Sequence, residues 1–170
     1  MQATTLKLYS LSYRQTRTYL FATLFVIGNI LLPQLCHLIP QGGLIFLPIY
    51  FFTLIAGFKY GWKVGLLTAI FSPIVNNLLF GMPVNAMLPA ILTKSIFLAV
   101  AAAAAAHYFN RINFLIIALV VLAYQVFGTL VEWAIAGNFF DAVQDFRIGL
   151  PGMLVQIVAG TLVIKYLLRN

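Results

Sequence analysis

The chain has 170 residues, 63% hydrophobic and 8% charged, with ten lysines and arginines against three acids and a formal net charge of +7. A soluble domain carries roughly a quarter charged residues, so the composition argues against a water-soluble globule and for a lipid environment. The basic residues are dispersed rather than gathered in a stripe, which argues against a nucleic-acid partner, and a single cysteine, Cys36, leaves no intrachain disulfide and no cysteine cluster for zinc.

A hydrocarbon core of about 30 Å takes roughly 20 apolar residues per helix. The apolar runs predict an all-α, polytopic membrane protein with six transmembrane helices in one transmembrane domain over residues 1–170. Residues 1–17, with Lys7, Arg14 and Arg17, form an N-terminal segment ahead of the first span, Thr18 to Leu38. No A-x-A-like cleavage site follows that span, so it is expected to stay in the mature protein. The connection Cys36 to Gly43 brings His37 and Gln41. The second span, Leu44 to Phe58, is short and holds Tyr50 and Pro48 behind Gly42 and Gly43, a pattern expected of a broken or tilted segment.

The third span, Trp62 to Phe80, carries Asn76 and Asn77, and the uncharged connection Gly81 to Asn85 follows. The fourth, Ala86 to Ala106, carries Lys94 and ends in the run Ala99 to Ala106, whose small side chains let helix backbones approach closely. Glu132 lies near the end of the fifth, Asn113 to Trp133. A longer connection, Ala136 to Arg147, holds Phe139, Phe140, Asp141 and Asp145, and the sixth span, Ile148 to Leu168, carries Gln156.

Basic residues favour the cytoplasmic side of a membrane. Eight of the ten (Lys7, Arg14, Arg17, Lys59, Lys63, Arg111, Lys165 and Arg169) fall in alternate connections or at the ends, which places both termini in the cytoplasm of a bacterial cell with an inner-membrane, multi-pass protein. Tyr19, Tyr60, Trp62, Tyr108 and Tyr166 fall at the level of the inner aromatic belt.

With that orientation all seven prolines lie in the outer half. Irregular backbone at membrane depth is tolerated where it is buried in protein or lines a cavity, so the outer half is expected to surround one. Lys94, about eight residues below the outer end of its span, lies roughly 12 Å deep, and a charge near mid-span costs about 2.5 to 3.5 kcal/mol on insertion scales. Two readings of Lys94 stand side by side: it pairs with Glu132, or it meets a carboxylate or phosphate on a ligand. Asn76, Asn77, Glu132 and Gln156 join it as candidate substrate-binding residues, with His37, Gln41 and Asn85 from the connections. Tyr50, Phe80, Phe139 and Phe140 are candidates for stacking on a ring, since ligand pockets are mostly apolar with a few placed polar groups.

No G-x-x-x-x-G-K-[ST] phosphate loop is present, so energy for any uphill transport must come from another subunit or an ion gradient. No H-E-x-x-H and no serine with a base in sequence reach is found, which argues against an intramembrane enzyme, and no metal or cofactor motif is apparent.

Six helices, both termini inside, an irregular outer half and the run Ala56-Gly57-Phe58-Lys59-Tyr60-Gly61-Trp62-Lys63-Val64-Gly65 together resemble the substrate-binding S components of energy-coupling factor (ECF) vitamin transporters. In that family a proline often follows the first glycine of this turn, where the present chain has Phe58. The resemblance implies capture of a vitamin or cofactor precursor beneath the first, third and fifth connections. It further implies a transmembrane coupling subunit and two cytosolic ATPase subunits as partners. The family's first helix often docks the coupling subunit through an A-x-x-x-A patch; the corresponding residues here are Thr18, Ala22 and Val26, with the alanines of the fourth span as a substitute surface. The alternative reading is a small membrane scaffold, or an accessory subunit of an envelope-assembly complex.

Overall fold

The computed structural model describes Leu8 and residues 10–169, so Lys7 and most of the first ten residues of the expected N-terminal segment lie outside the described residues. Among the described residues every regular element is helical: α1 (Thr16–Cys36), α2 (Gly42–Phe46), a 3-10 turn (Pro48–Tyr50), α3 (Phe51–Tyr60), α4 (Trp62–Phe80), α5 (Leu88–Phe109), α6 (Phe114–Ala136), α7 (Phe139–Ala142), α8 (Gln144–Arg147) and α9 (Leu150–Arg169). Five of them, α1, α4, α5, α6 and α9, are long and apolar enough to cross a membrane. The chain is a helical, multi-pass membrane protein.

α3 runs through the centre, and every residue from Thr53 to Tyr60 is buried. It packs against α1, α4, α5 and α9. A helix covered on all sides needs no polar face, which suits the run Leu54-Ile55-Ala56. The outer helices bury one stripe each. In α1 that stripe is Thr18, Ala22, Phe25, Asn29 and Pro33, at the spacing of one helix face, while Leu20, Leu24, Ile27 and Leu31 remain exposed. Thr18 and Ala22 therefore face the bundle and are not a free docking patch.

Gly57, Gly61 and Gly65 account for the tight reversal between α3 and α4. Gly61 adopts φ 88°, open to glycine and strained for other residues. A side chain at Gly65 would meet the Gly57 Cα at 2.8 Å, and one at Gly57 would meet the Ala99 carbonyl oxygen at 2.7 Å. Ala99, Ala102 and Ala106 are buried in the same crossing, so these alanines serve internal packing. The tyrosines and tryptophan of the expected belt are exposed, except for Tyr60, which is buried. Lys59 is also buried, and its Nζ donates to the Leu167 carbonyl at 2.9 Å.

The second expected span, Leu44 to Phe58, is broken. Leu47 takes a left-handed conformation, φ 47°, and Pro48 starts the 3-10 turn behind it. Backbone groups freed by a break in an apolar medium need new partners. Gln156 Nε2 reaches the Leu47 carbonyl at 3.5 Å, and the Phe52 N–H at the start of α3 donates to Asn29 Oδ1 at 3.2 Å. Asn29 Nδ2 in turn donates to Thr53 Oγ1 and Ser72 Oγ, each at 3.0 Å, so one buried side chain ties α1, α3 and α4 together at the break. The expected loop over Ala136 to Arg147 contains the short helices α7 and α8, the first capped by Asn138, whose side chain accepts from the Phe140 N–H.

Candidate functional site

The break in the second span leaves a cavity of about 500 Å³ at the end of the bundle where α1 and α4 finish and α5 begins. Its wall is largely apolar and includes Pro33, Pro40, Pro48 and Pro83, four of the seven prolines. Proline cannot continue a backbone hydrogen-bond ladder, and these four lie in the last turn of α1 or in the connections and element starts that follow the helices.

The polar lining residues are His37, Gln41, Tyr50, Asn76, Lys94, Glu132 and Asp145. Lys94 lies six residues past Leu88, roughly 9 Å along the axis of α5, and only 3% of its side chain is accessible. Its Nζ donates to Asp145 Oδ2 at 2.7 Å and lies 2.5 Å from Glu132 Oε2 in an ion pair off the ideal hydrogen-bond angle. Gly128 makes room for the lysine stem, because a Cβ there would fall 2.3 Å from Lys94 Cγ. The pairing reading of Lys94 is the one observed, with a second carboxylate that the sequence did not assign to it. An ammonium held between Glu132 and Asp145 is not a free cation awaiting an anionic ligand, and the preference for an anion that an unpaired Lys94 would confer does not follow.

Asn76 is 2% exposed, and its Nδ2 donates to the carbonyls of Asn29 and Ser72, both at 2.9 Å. Two backbone acceptors fix which end of the amide faces them, so the other end is the acceptor Oδ1. Tyr50 is buried and packs against Tyr124, ring centroids 5.3 Å apart, with its own ring on the cavity wall. His37 and Gln41 belong to the exposed rim.

The remaining expected site residues lie elsewhere. Gln156 is buried behind the wall, accepting from Tyr124 Oη at 2.9 Å and bonding Leu47, so it holds the frame of the cavity without lining it. Asn77 donates to the Pro83 carbonyl at 2.7 Å and to Asn85 Oδ1 at 2.8 Å, which pins the connection over the cavity without placing either asparagine on its wall. Phe80, Phe139 and Phe140 are exposed, and Phe139 packs edge-on against both Trp133 and Phe140. Asp145 and Asn29 were not selected from sequence. Asp145 carried one available signal: it is among only three acids in the chain.

Comparison of the chain with protein-family models, with curated proteins and with solved structures finds no match. Function is therefore read from the cavity and its residues.

Proposed function

We propose that the chain is the substrate-binding membrane subunit of an ECF-type importer, a binding protein rather than an enzyme, that captures a vitamin or cofactor precursor and passes it inward with a coupling subunit and two cytosolic ATPases. The observation that carries the reading is the mostly apolar cavity of about 500 Å³, ending on Tyr50, Asn76 and the Lys94 ion trio. That volume suits a ring-bearing small molecule, and a few convergent polar groups on an apolar wall are the usual form of such a site.

Topology supports the same reading. Counting α2, the 3-10 turn and α3 as one interrupted crossing gives six crossings with the five long helices, and both ends of the chain then share a side. The basic excess near those ends makes that side cytoplasmic and turns the cavity outward in a bacterial inner membrane. Since Thr18 and Ala22 are turned inward, a coupling subunit would meet the exposed face of α1 around Leu20, Leu24 and Leu31 rather than the family's small-residue patch.

A thermal-shift screen of detergent-purified protein against B vitamins and their precursors tests the proposal. A ligand present at a hundred times its Kd stabilises the native state by about 2.7 kcal/mol. One selective, saturable rise in melting temperature is the expected result. A folded protein that responds to nothing in the panel would shift the reading to the membrane scaffold.

A further inference from the structure

We infer that the ligand of this cavity is cationic, presenting an ammonium, amidinium or ring-nitrogen cation to Glu132, Asp145 and Asn76. This rests on the reading of the cavity as a ligand site and names the ligand's chemical class. The juxtaposition that carries it is one lysine set between two carboxylates on the cavity wall, with the amide of Asn76, its N–H groups already used, on the same wall.

The charge distribution is the reverse of the chain's. Overall the chain carries ten basic residues against three acids, yet two of those acids and only one basic residue line the cavity. One lysine between two carboxylates leaves the trio with one negative charge in excess. An anionic ligand would meet Glu132 and Asp145 at the same place it met Lys94, and repulsion at short range in a low-dielectric setting disfavours it.

Hydrogen-bond supply points the same way. Lys94 donates to Oδ2 of Asp145 and forms an ion pair with Oε2 of Glu132, a buried oxygen that no well-aligned hydrogen bond reaches. Among the described residues no hydrogen bond is made to Asp145 Oδ1, Glu132 Oε1 or Asn76 Oδ1. Asn76 is the independent observation: it is 2% exposed, lines the cavity and has both amide protons directed at Asn29 and Ser72, so its remaining oxygen can only accept. That oxygen is open to the cavity rather than sealed in the protein, so a ligand N–H can reach it. A cation with several N–H groups satisfies both the excess charge and the acceptors, and the apolar remainder of the wall, Ile91 and Met87 among it, covers its hydrocarbon body.

The test sorts a thermal-shift panel by charge: thiamine, pyridoxamine and benzamidine as cations, riboflavin and pyridoxine as neutral compounds, and biotin, pantothenate and 4-pyridoxate as anions. Stabilisation confined to cations is expected. The hit is then titrated against Glu132→Gln and Asp145→Asn, each of which leaves Lys94 one carboxylate partner and so keeps the fold. Loss of a charge-assisted hydrogen bond should weaken binding by about tenfold or more in each variant. Stabilisation by an anion, or a cation whose affinity is unchanged in both variants, overturns the charge assignment while leaving the cavity a ligand site. Silence across all three classes overturns the ligand-site reading and this inference with it.

Discussion

Replacing Lys94 with methionine tests the ion trio apart from any ligand. Methionine keeps a stem of similar length past Gly128 and removes the ammonium, with its charge and its donors. The variant leaves Glu132 and Asp145 facing each other without the cation that now lies 2.5 and 2.7 Å from them. Breaking a buried pair by removing one partner costs about 3 to 5 kcal/mol. The carboxylate side chains retain 17% and 16% exposure and open onto the cavity, where water can enter, so the lower end of that range applies. For a chain of this size, about 3 kcal/mol corresponds to a fall in melting temperature of about 6 to 12 °C. Differential scanning fluorimetry in one detergent, without ligand, reads it directly. Combining Lys94→Met with Glu132→Gln and Asp145→Asn removes every charge of the trio, and most of the lost stability should return. A single variant that melts within 2 °C of the parent refutes the trio as a coupled unit, as does a triple variant no better than the single. The same reasoning means that a destabilised Lys94 variant cannot by itself separate a transporter subunit from a scaffold, because both would lose the trio.

Asn29→Leu should destabilise by about 2 kcal/mol or more, since it strands the Phe52 N–H and the hydroxyls of Thr53 and Ser72 that now bond Asn29; a loss under half that, in chemical or thermal melts, would show that the helix break is held by other means. Gly57→Val places new atoms against the Ala99 oxygen and the Ala102 Cβ, which a Cβ alone would approach to 2.7 and 3.2 Å, and overpacking of this kind costs about 1 to 3 kcal/mol. An unchanged melting temperature would mean that α3 and α5 are not in this close crossing. Gln125→Met should be neutral or stabilising, because Gln125 is fully buried and neither its Nε2 nor its Oε1 finds a partner among the described residues. A clear loss of stability in that variant would reveal a bridging water that the side chain serves.

Helix positions were legible because length and punctuation suffice for them. The third span agrees with α4 residue for residue, bracketed by Gly61 and Gly81, and the fifth begins one residue after Asn113, whose side chain accepts the Ile116 N–H as a helix cap. The short, proline-bearing second span was legible as a weak one. Its point of failure was not, since the left-handed turn falls on Leu47, a residue with no special tolerance for it, and is supported from afar by Gln156. Helix facing was the hardest element to read. α6 buries Ile117, Val121 and Tyr124 and exposes Leu115, Leu119 and Val126, residues of one apolar class on opposite faces. In water such a helix would show a polar stripe; where lipid and protein interior are equally apolar, no hydrophobic period marks the inner face.

Polar residues carry the information that hydrophobic period loses. Asn29, Thr53, Ser72, Asn76, Lys94 and Gln156 are all buried, each on the inward face of its helix, because a polar side chain turned to lipid has nothing to bond. Of the residues that depth selected, Lys94, Asn76 and Gln156 are buried while Asn77 and Glu132 are half-buried, and depth could not separate those that hold the frame from those that face the cavity. Gln156 and Asn76 are buried to the same degree, but the first bonds Tyr124 and Leu47 while the second has an acceptor left over. The separating property is unmet bonding capacity, which exists only once partners are known. The same distinction explains Asp145: in sequence it is a loop acid, and it becomes a site residue because α8 sets its carboxylate on a lysine 51 positions earlier. What a ligand meets in the cavity is therefore decided by bonding that only the fold reveals, here one lysine shared between two carboxylates.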